Sequence, residues 1–529
     1  MSIRILVAGA TLTLGAALLG APATATPAAT GQTARPASAF AAAPIDWGRC
    51  KDEFLRKAKG QCGMLTVPLD HANPTGPTIK LAVSRVKHRG SKFRGVMFTN
   101  PGGPGGSGTF VAGYGQFVPG KVASSYDWIG MDPRGVGDSK PALTCDKRIA
   151  KIGTRPPYDP TTDEILDTWV AKTEAYAAAC GSSEAAALLP HLKTTDTVAD
   201  FEVLREALGA EKVSFYGFSY GTYIAQVYAT LHPERLDKLV LDGVVDPHGI
   251  WYESNSNQNS AFEKAIKGFY RWTARGNNDF HLGRTPAAVE KTYYRVLRQL
   301  ARKPIDGVGA AELSDIALGA GYVNFLWPDV AAAISEIANK GTATLARKSY
   351  TSDYPTTPGG DNGYAMYLAT LCTDAPWPTD LAATLADARD QAAKDPFVTW
   401  ANAWYNAPCR TWPAAPAPAA VEVLPSSQKA LLINETFDGA TPISGARAVR
   451  RLFTGAVLIE GVNGTTHAGS LSGVPCVDNR IASYLATGKL PDRRPGDRSD
   501  VRCKAVPAPP VGLPDEGFAV NARPVAPLG

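Results

Sequence analysis

Ser219 sits between two glycines, each two positions away, in Gly217-Phe218-Ser219-Tyr220-Gly221. A β-type run at 212–216 precedes this pentapeptide and a helical-looking stretch at 222–231 follows it. Strand, Gly-x-Ser-x-Gly, helix is the layout of a turn that presents a nucleophilic hydroxyl. The turn is so tight that side chains two residues either side of the serine would collide, which is why glycine is needed there. The hydroxyl is left at a helix N-terminus, where unpaired backbone N–H groups favour developing negative charge. A chain with 51 glycines can produce such a pentapeptide by chance. The chemistry therefore rests on the local context and on the partners that a serine requires.

Those partners are a base and an acid that orients it. In this arrangement they follow the serine in the order acid, then histidine. Of seven histidines, six are at 71, 88, 191, 232, 248 and 281, and only His467 lies towards the C-terminal end. It stands in a Gly-, Thr- and Ala-rich loop (461–469) after an apolar strand-like run at 456–459. The acid should follow the preceding strand, which runs into Asn434-Glu435-Thr436-Phe437-Asp438-Gly439. Asp438 is the preferred candidate, followed by Thr441-Pro442 at the start of the next helix. Glu435 is its rival, and Asp478 falls out of order after the histidine. His467 would take the Ser219 proton and return it to the leaving group, while Asp438 fixes the histidine tautomer. An oxyanion also needs two N–H donors. Tyr220 should give one, and Gly102 or Gly103 the other, from the loop Asn100-Pro101-Gly102-Gly103-Pro104-Gly105-Gly106-Ser107-Gly108. No Lys-Ser/Thr follows that loop, which excludes a Walker-type phosphate site. Asp132 and Arg134, in a second Gly-rich loop, read as structural.

The elements around these residues predict an α/β fold with a mainly parallel sheet. A hairpin at 64–69 and 78–86 opens it, and short apolar strands follow at 94–99, 127–131, 212–216 and 236–241. A helix over 197–208 carries Val198, Phe201, Leu204 and Leu208 on one face. From about 246 to 425 the patterns turn helical, notably at 260–275, 287–301 and 326–339, too long a block for a loop. The strand pattern resumes at 430–433, with a helix at 443–452 and a strand at 456–459. The expected layout is a catalytic domain in two parts, 44–246 and 426–505, around a helical cap at 247–425. A Pro-rich surface tail at 506–529 closes the chain.

The N-terminus reads as a signal peptide over 1–25: Arg4, an apolar run at 5–20, and the small-residue site Ala23-Thr24-Ala25. Residues 26–43 form an Ala/Pro/Thr-rich leader or propeptide. A secreted, extracellular protein follows, with no membrane segment once the signal is removed. Eight cysteines in an exported chain argue for disulfides. Their spacing suggests local pairs 50–62, 145–180, 372–409 and 476–503, although spacing alone leaves connectivity open. There is no Cys-x-x-Cys and no Cys/His cluster, so no metal and no cofactor are expected. A net charge of +5 without a long basic run argues against a nucleic-acid partner. Oligomeric state is not readable.

Together these motifs resemble the proline iminopeptidase-related α/β-hydrolases, and most of all the secreted bacterial tripeptidyl aminopeptidases. The resemblance covers nearly the whole chain after the leader. It includes Cys372-Thr373-Asp374 and Trp400-Ala401-Asn402-Ala403-Trp404. Where intracellular iminopeptidases carry His-Gly-Gly-Pro-Gly, this chain has Pro101-Gly102-Gly103-Pro104-Gly105, which favours the tripeptidyl branch. The resemblance implies an α/β-hydrolase fold and release of tripeptides from peptides with a free N-terminus. Such an enzyme needs a carboxylate for the substrate ammonium and a wall against longer chains. Glu253, Glu263 and Asp374 are the candidate anchors, and cap aromatics such as Phe325, Trp327 and Tyr364 could line an apolar pocket suited to proline. Two other readings stay open: an esterase or lipase, and a non-catalytic binding protein on the same scaffold.

Overall fold

The structure, a computed structural model, describes residues 40–512. The signal peptide, most of the leader and the end of the Pro-rich tail lie outside the described residues. The ten strands among the described residues are β1 (Gly48–Arg49), β2 (Gln61–Pro68), β3 (Thr78–Val86), β4 (Gly95–Asn100), β5 (Tyr126–Met131), β6 (Val213–Phe218), β7 (Leu236–Asp242), β8 (Ala430–Glu435), β9 (Val457–Val462) and β10 (Val501–Lys504). They form one sheet in the order β1-β2-β3-β5-β4-β6-β7-β8-β9-β10. The first three strands pair antiparallel, and β3 meets β5 antiparallel. From β5 to β10 every pairing is parallel. This is the α/β-hydrolase fold.

Parallel strands need crossovers that cover both faces, so their sequences are apolar throughout rather than alternating. Every residue of β6 and of β8 is buried accordingly. One face packs under helices Thr194–Ala207, Tyr220–Leu231 and Ile443–Leu452, through Phe201, Ile224, Val227 and Val449. The other packs under helix Pro475–Thr487, through Ile481, Tyr484 and Leu485.

The block between β7 and β8 is helical, as its periodicity predicts. Helices Tyr252–Arg275, Pro286–Arg302, Ala310–Tyr322 and Trp327–Lys340 share a core of their own built on Phe262, Phe269, Trp272, Tyr293 and Ile334. Helix Asn362–Asp374 behaves differently. Its Met366, Leu368 and Leu371 pack into the same core as the sheet, so this part of the insertion is tied to the strands.

All four cysteine pairs form as their spacing suggests: Cys50–Cys62, Cys145–Cys180, Cys372–Cys409 and Cys476–Cys503. Each closes a loop and contributes about 2–4 kcal/mol by restricting the unfolded chain. Among the described residues no helix is long and apolar enough to cross a membrane.

The Pro-rich end differs from its expectation. Before residue 506, β10 extends the sheet beside β9. Over 506–512 the chain is a strap held by other elements. The Val506 N–H donates to Glu435 at 2.7 Å, Asn324 donates to the Val506 carbonyl at 2.9 Å, and Trp272 donates to the Pro509 carbonyl at 2.9 Å. Proline composition suggested irregularity correctly; it could not show that other elements supply the hydrogen bonds.

Candidate active site

Ser219 stands where β6 ends and helix Tyr220–Leu231 begins, at φ 52° and ψ −128°. A non-glycine residue in that region is strained by about 1–3 kcal/mol and must be held from outside. Three bonds hold it. The Ser219 N–H donates to the Asp242 carbonyl at 2.9 Å, and the Ser219 carbonyl accepts from the N–H and hydroxyl of Thr222 at 2.8 and 2.7 Å. The flanking glycines are explained by space. A Cβ on Gly217 would sit 2.4 Å from the Gly221 carbonyl oxygen, and one on Gly221 would sit 2.5 Å from that of Asn100.

His467 and Asp438 come together from loops after β9 and β8. The His467 Nδ1 lies 2.9 and 3.0 Å from the two carboxylate oxygens of Asp438, so it carries the hydrogen and leaves Nε2 able to accept a proton. Asp438 is fully buried and is itself fixed. Its Oδ1 accepts from the N–H groups of Ala440 and Thr441, both at 2.9 Å, and its Oδ2 accepts from the Thr441 hydroxyl at 2.9 Å. Nε2 of His467 is buried without a hydrogen-bond partner, in a cavity of 660 Å³ that Ser219 also lines. Burial opposes charge on the imidazole, but Asp438 outweighs it and raises the ring's pKa. A protonated ring cannot accept the serine proton. The acid limb of kcat/KM should therefore have its midpoint above the ordinary imidazole value of 6.5, which a pH–rate profile checks.

Glu435, the rival acid, does other work. Its Oε2 accepts from the Thr466 N–H at 2.5 Å, immediately before His467, and burial pushes its pKa up to about 8. Asp478 likewise holds the His467 loop, accepting from Leu471 and Gly473 at 2.7 and 2.8 Å. Two supports escaped the sequence reading. The Tyr322 carbonyl, from the helical insertion, accepts the His467 N–H at 2.7 Å. Gly243 lies flat against the histidine ring, where a Cβ would come within 2.8 Å of Cε1. A glycine directly after a strand was the one available signal for the second.

On the oxyanion side, the Gly102 N–H already donates to the Asn100 side chain at 2.9 Å. Gly103 and Tyr220 line the cavity, and Gly102 does not. None of the three candidate ammonium anchors lines it either. Glu253 is exposed in the first turn of its helix. Glu263 pairs with Lys267 at 2.9 Å and caps the Phe397 N–H at 3.1 Å. Asp374 is buried, accepts from the Thr194 N–H and hydroxyl at 2.6 Å each and from Trp251 at 3.1 Å, and has its pKa pushed up to about 6 by burial. It braces the helix start at Thr194 against Trp251. Arg134, read as structural, is buried and forked onto Asp200 at 2.7 Å. Of the cap aromatics, Phe325 and Tyr364 line the cavity and Trp327 does not.

A family model described as TAP-like protein matches residues 395–515, a span that includes Asp438 and His467. A tripeptidyl aminopeptidase of Streptomyces lividans is 36% identical over 488 residues, covering 89% of each chain. The chain belongs to the tripeptidyl aminopeptidase family. As a member it is a serine hydrolase with the α/β-hydrolase fold. More distant relatives include the serine protease Hip1 of Mycobacterium tuberculosis, 29% identical over 87% of this chain and 92% of its own. A carboxylesterase B of the same organism is 29% identical over 91% and 96%. Among solved structures, the proline iminopeptidase of Mycobacterium smegmatis aligns over 80% of this family member and 96% of its own chain. Its identity is 14% and its TM-score 0.31, too remote to add to the relationship.

Proposed function

We propose that this protein is a secreted serine exopeptidase that releases tripeptides from the free N-termini of peptides through an acyl-enzyme. The observation that carries the reading is the 36% identity, over 89% of both chains, to the Streptomyces tripeptidyl aminopeptidase. The site supports it. Ser219 attacks the scissile carbonyl while His467 takes its proton at Nε2. Asp438 holds the hydrogen on Nδ1 and stabilises the imidazolium. The N–H groups of Tyr220 and Gly103 receive the oxyanion. His467 then protonates the departing amine, and water resolves the acyl-enzyme by the same steps in reverse. Four disulfides fit an oxidising compartment, in keeping with the N-terminal signal pattern.

The carboxylesterase B relative favours a second reading, an esterase. Mass spectrometry of products from a ladder of free and N-acetylated peptides, run beside simple esters, separates the two. Tripeptides should accumulate from free-N-terminal peptides alone. Equal cleavage of acetylated peptides, or turnover confined to esters, would overturn the exopeptidase reading.

A further inference from the structure

We propose that Asp361 is the anchor for the substrate's α-ammonium, which rests on the exopeptidase reading above. Three aspartates line the cavity: Asp246, Asp315 and Asp361. Two already face a basic side chain. Asp246 faces His248 at 2.8 Å, and Asp315 is bound by Arg155 and by the Tyr158 hydroxyl, each at 2.7 Å. Asp361 forms no ion pair among the described residues, although Lys147 lines the same cavity.

Its two oxygens are treated differently. Oδ2 accepts from the N–H groups of Cys145 and Asp146 at 2.8 and 2.9 Å and from the Tyr176 hydroxyl at 3.0 Å. Oδ1 is buried and has no hydrogen-bond partner among the described residues, and Asp361 lines the cavity. A carboxylate oxygen removed from water without a donor is costly unless a partner arrives with substrate. An ammonium is the matching partner, with charge and up to three donors. Tyr364 and Tyr405, with ring centres 4.5 Å apart, line the same cavity and offer aromatic surface to the substrate.

Position completes the case. Asp361 begins the segment that is bolted to the catalytic core. Asn362 accepts from the Gly137 N–H at 2.9 Å and donates to the carbonyls of Gly135 and Leu143 at 2.8 and 2.7 Å. One residue further, the Gly363 carbonyl presses on the glycine-rich loop so closely that a Cβ on Gly105 would lie 2.3 Å from it. Asp361 is thus two residues from a segment that touches the loop carrying Gly103, and both line the cavity of Ser219. Three extended residues span at most about 10 Å. An ammonium held at one end and a carbonyl at the other sets the number of residues released.

The test compares a tripeptidyl anilide with its N-acetylated form, in the wild type and in Asp361→Asn. The amide oxygen keeps an acceptor for Cys145, Asp146 and Tyr176, while the Oδ1 position loses its charge and becomes an NH₂ donor that repels an ammonium. The wild type should prefer the free amine, and Asp361→Asn should lower kcat/KM for that substrate by about 100-fold, mainly through KM. The ratio of free to acetylated substrate should fall to near one. Fluorophosphonate labelling reports separately whether Ser219 is still reactive, and Asp361→Ser repeats the measurement with a smaller neutral side chain should the amide destabilise the fold. Wild-type preference retained in either neutral variant would overturn the role of Asp361 and leave the exopeptidase reading standing. A wild type with no preference for the free amine would overturn both.

Discussion

Replacing Ser219 with alanine should lower kcat on a tripeptidyl anilide by about four to six orders of magnitude. The size of the effect follows from how completely the other members depend on the hydroxyl. His467 Nε2 has no hydrogen-bond partner among the described residues, so it is free to take the Ser219 proton and has no other group to serve. Without the Oγ there is no acyl-enzyme, and the remaining rate comes from substrate positioning and the oxyanion donors. The backbone should tolerate the change, because the bonds that hold Ser219 at φ 52° are made by its main chain and by Thr222. Melting temperature should stay close to the wild type while labelling by a fluorophosphonate disappears. Activity retained by Ser219→Ala would remove the proposed mechanism.

Asp438→Asn should cost about 10⁴ in kcat, the order seen when a triad carboxylate becomes an amide. Here the geometry supplies the reason. Oδ1 accepts two N–H groups, from Ala440 and Thr441, so the amide oxygen of asparagine must take that place. The NH₂ group then occupies the Oδ2 position, facing the His467 Nδ1 and the Thr441 hydroxyl. A donor at that point forces Nδ1 to become an acceptor. The ring hydrogen moves to Nε2, and the nitrogen that should receive the Ser219 proton is already protonated. A matched pH–rate profile and a melting curve separate this from unfolding: kcat should collapse with the fold intact. A loss below tenfold would mean that another group sets the tautomer.

The proposed triad is legible because a nucleophile turn constrains sequence locally. Ser219 needs glycine at 217 and 221, and backbone contacts at 2.4 and 2.5 Å show how little room any other residue would have. Asp438 and His467 were found by chain order and by the strands before them, both of which are buried and apolar. The surroundings of a substrate amine are less legible. Glu253, Glu263 and Asp374 offer charge in the insertion, but helical periodicity does not say which side of a helix meets the cavity, and none of the three lines it. Asp361 sits in a short Gly-Gly-Asp-Asn-Gly stretch with no periodic signal. Only the folded chain shows that it lines the same cavity as Ser219. The strap at 506–512 was missed for a similar reason. Its hydrogen bonds come from Glu435, Asn324 and Trp272, at long distances along the chain.

Chain order also sets when chemistry can begin. The cavity wall is drawn from Pro101 to Pro510, and Val506, Pro507 and Pro509 of the strap belong to it. During synthesis Ser219 emerges well before its base, and the β10 edge with its Cys476–Cys503 bridge comes later still. An unfinished or prematurely ended chain has Ser219 but lacks the group proposed to deprotonate it. A chain ended before residue 467 should therefore stay silent toward a fluorophosphonate.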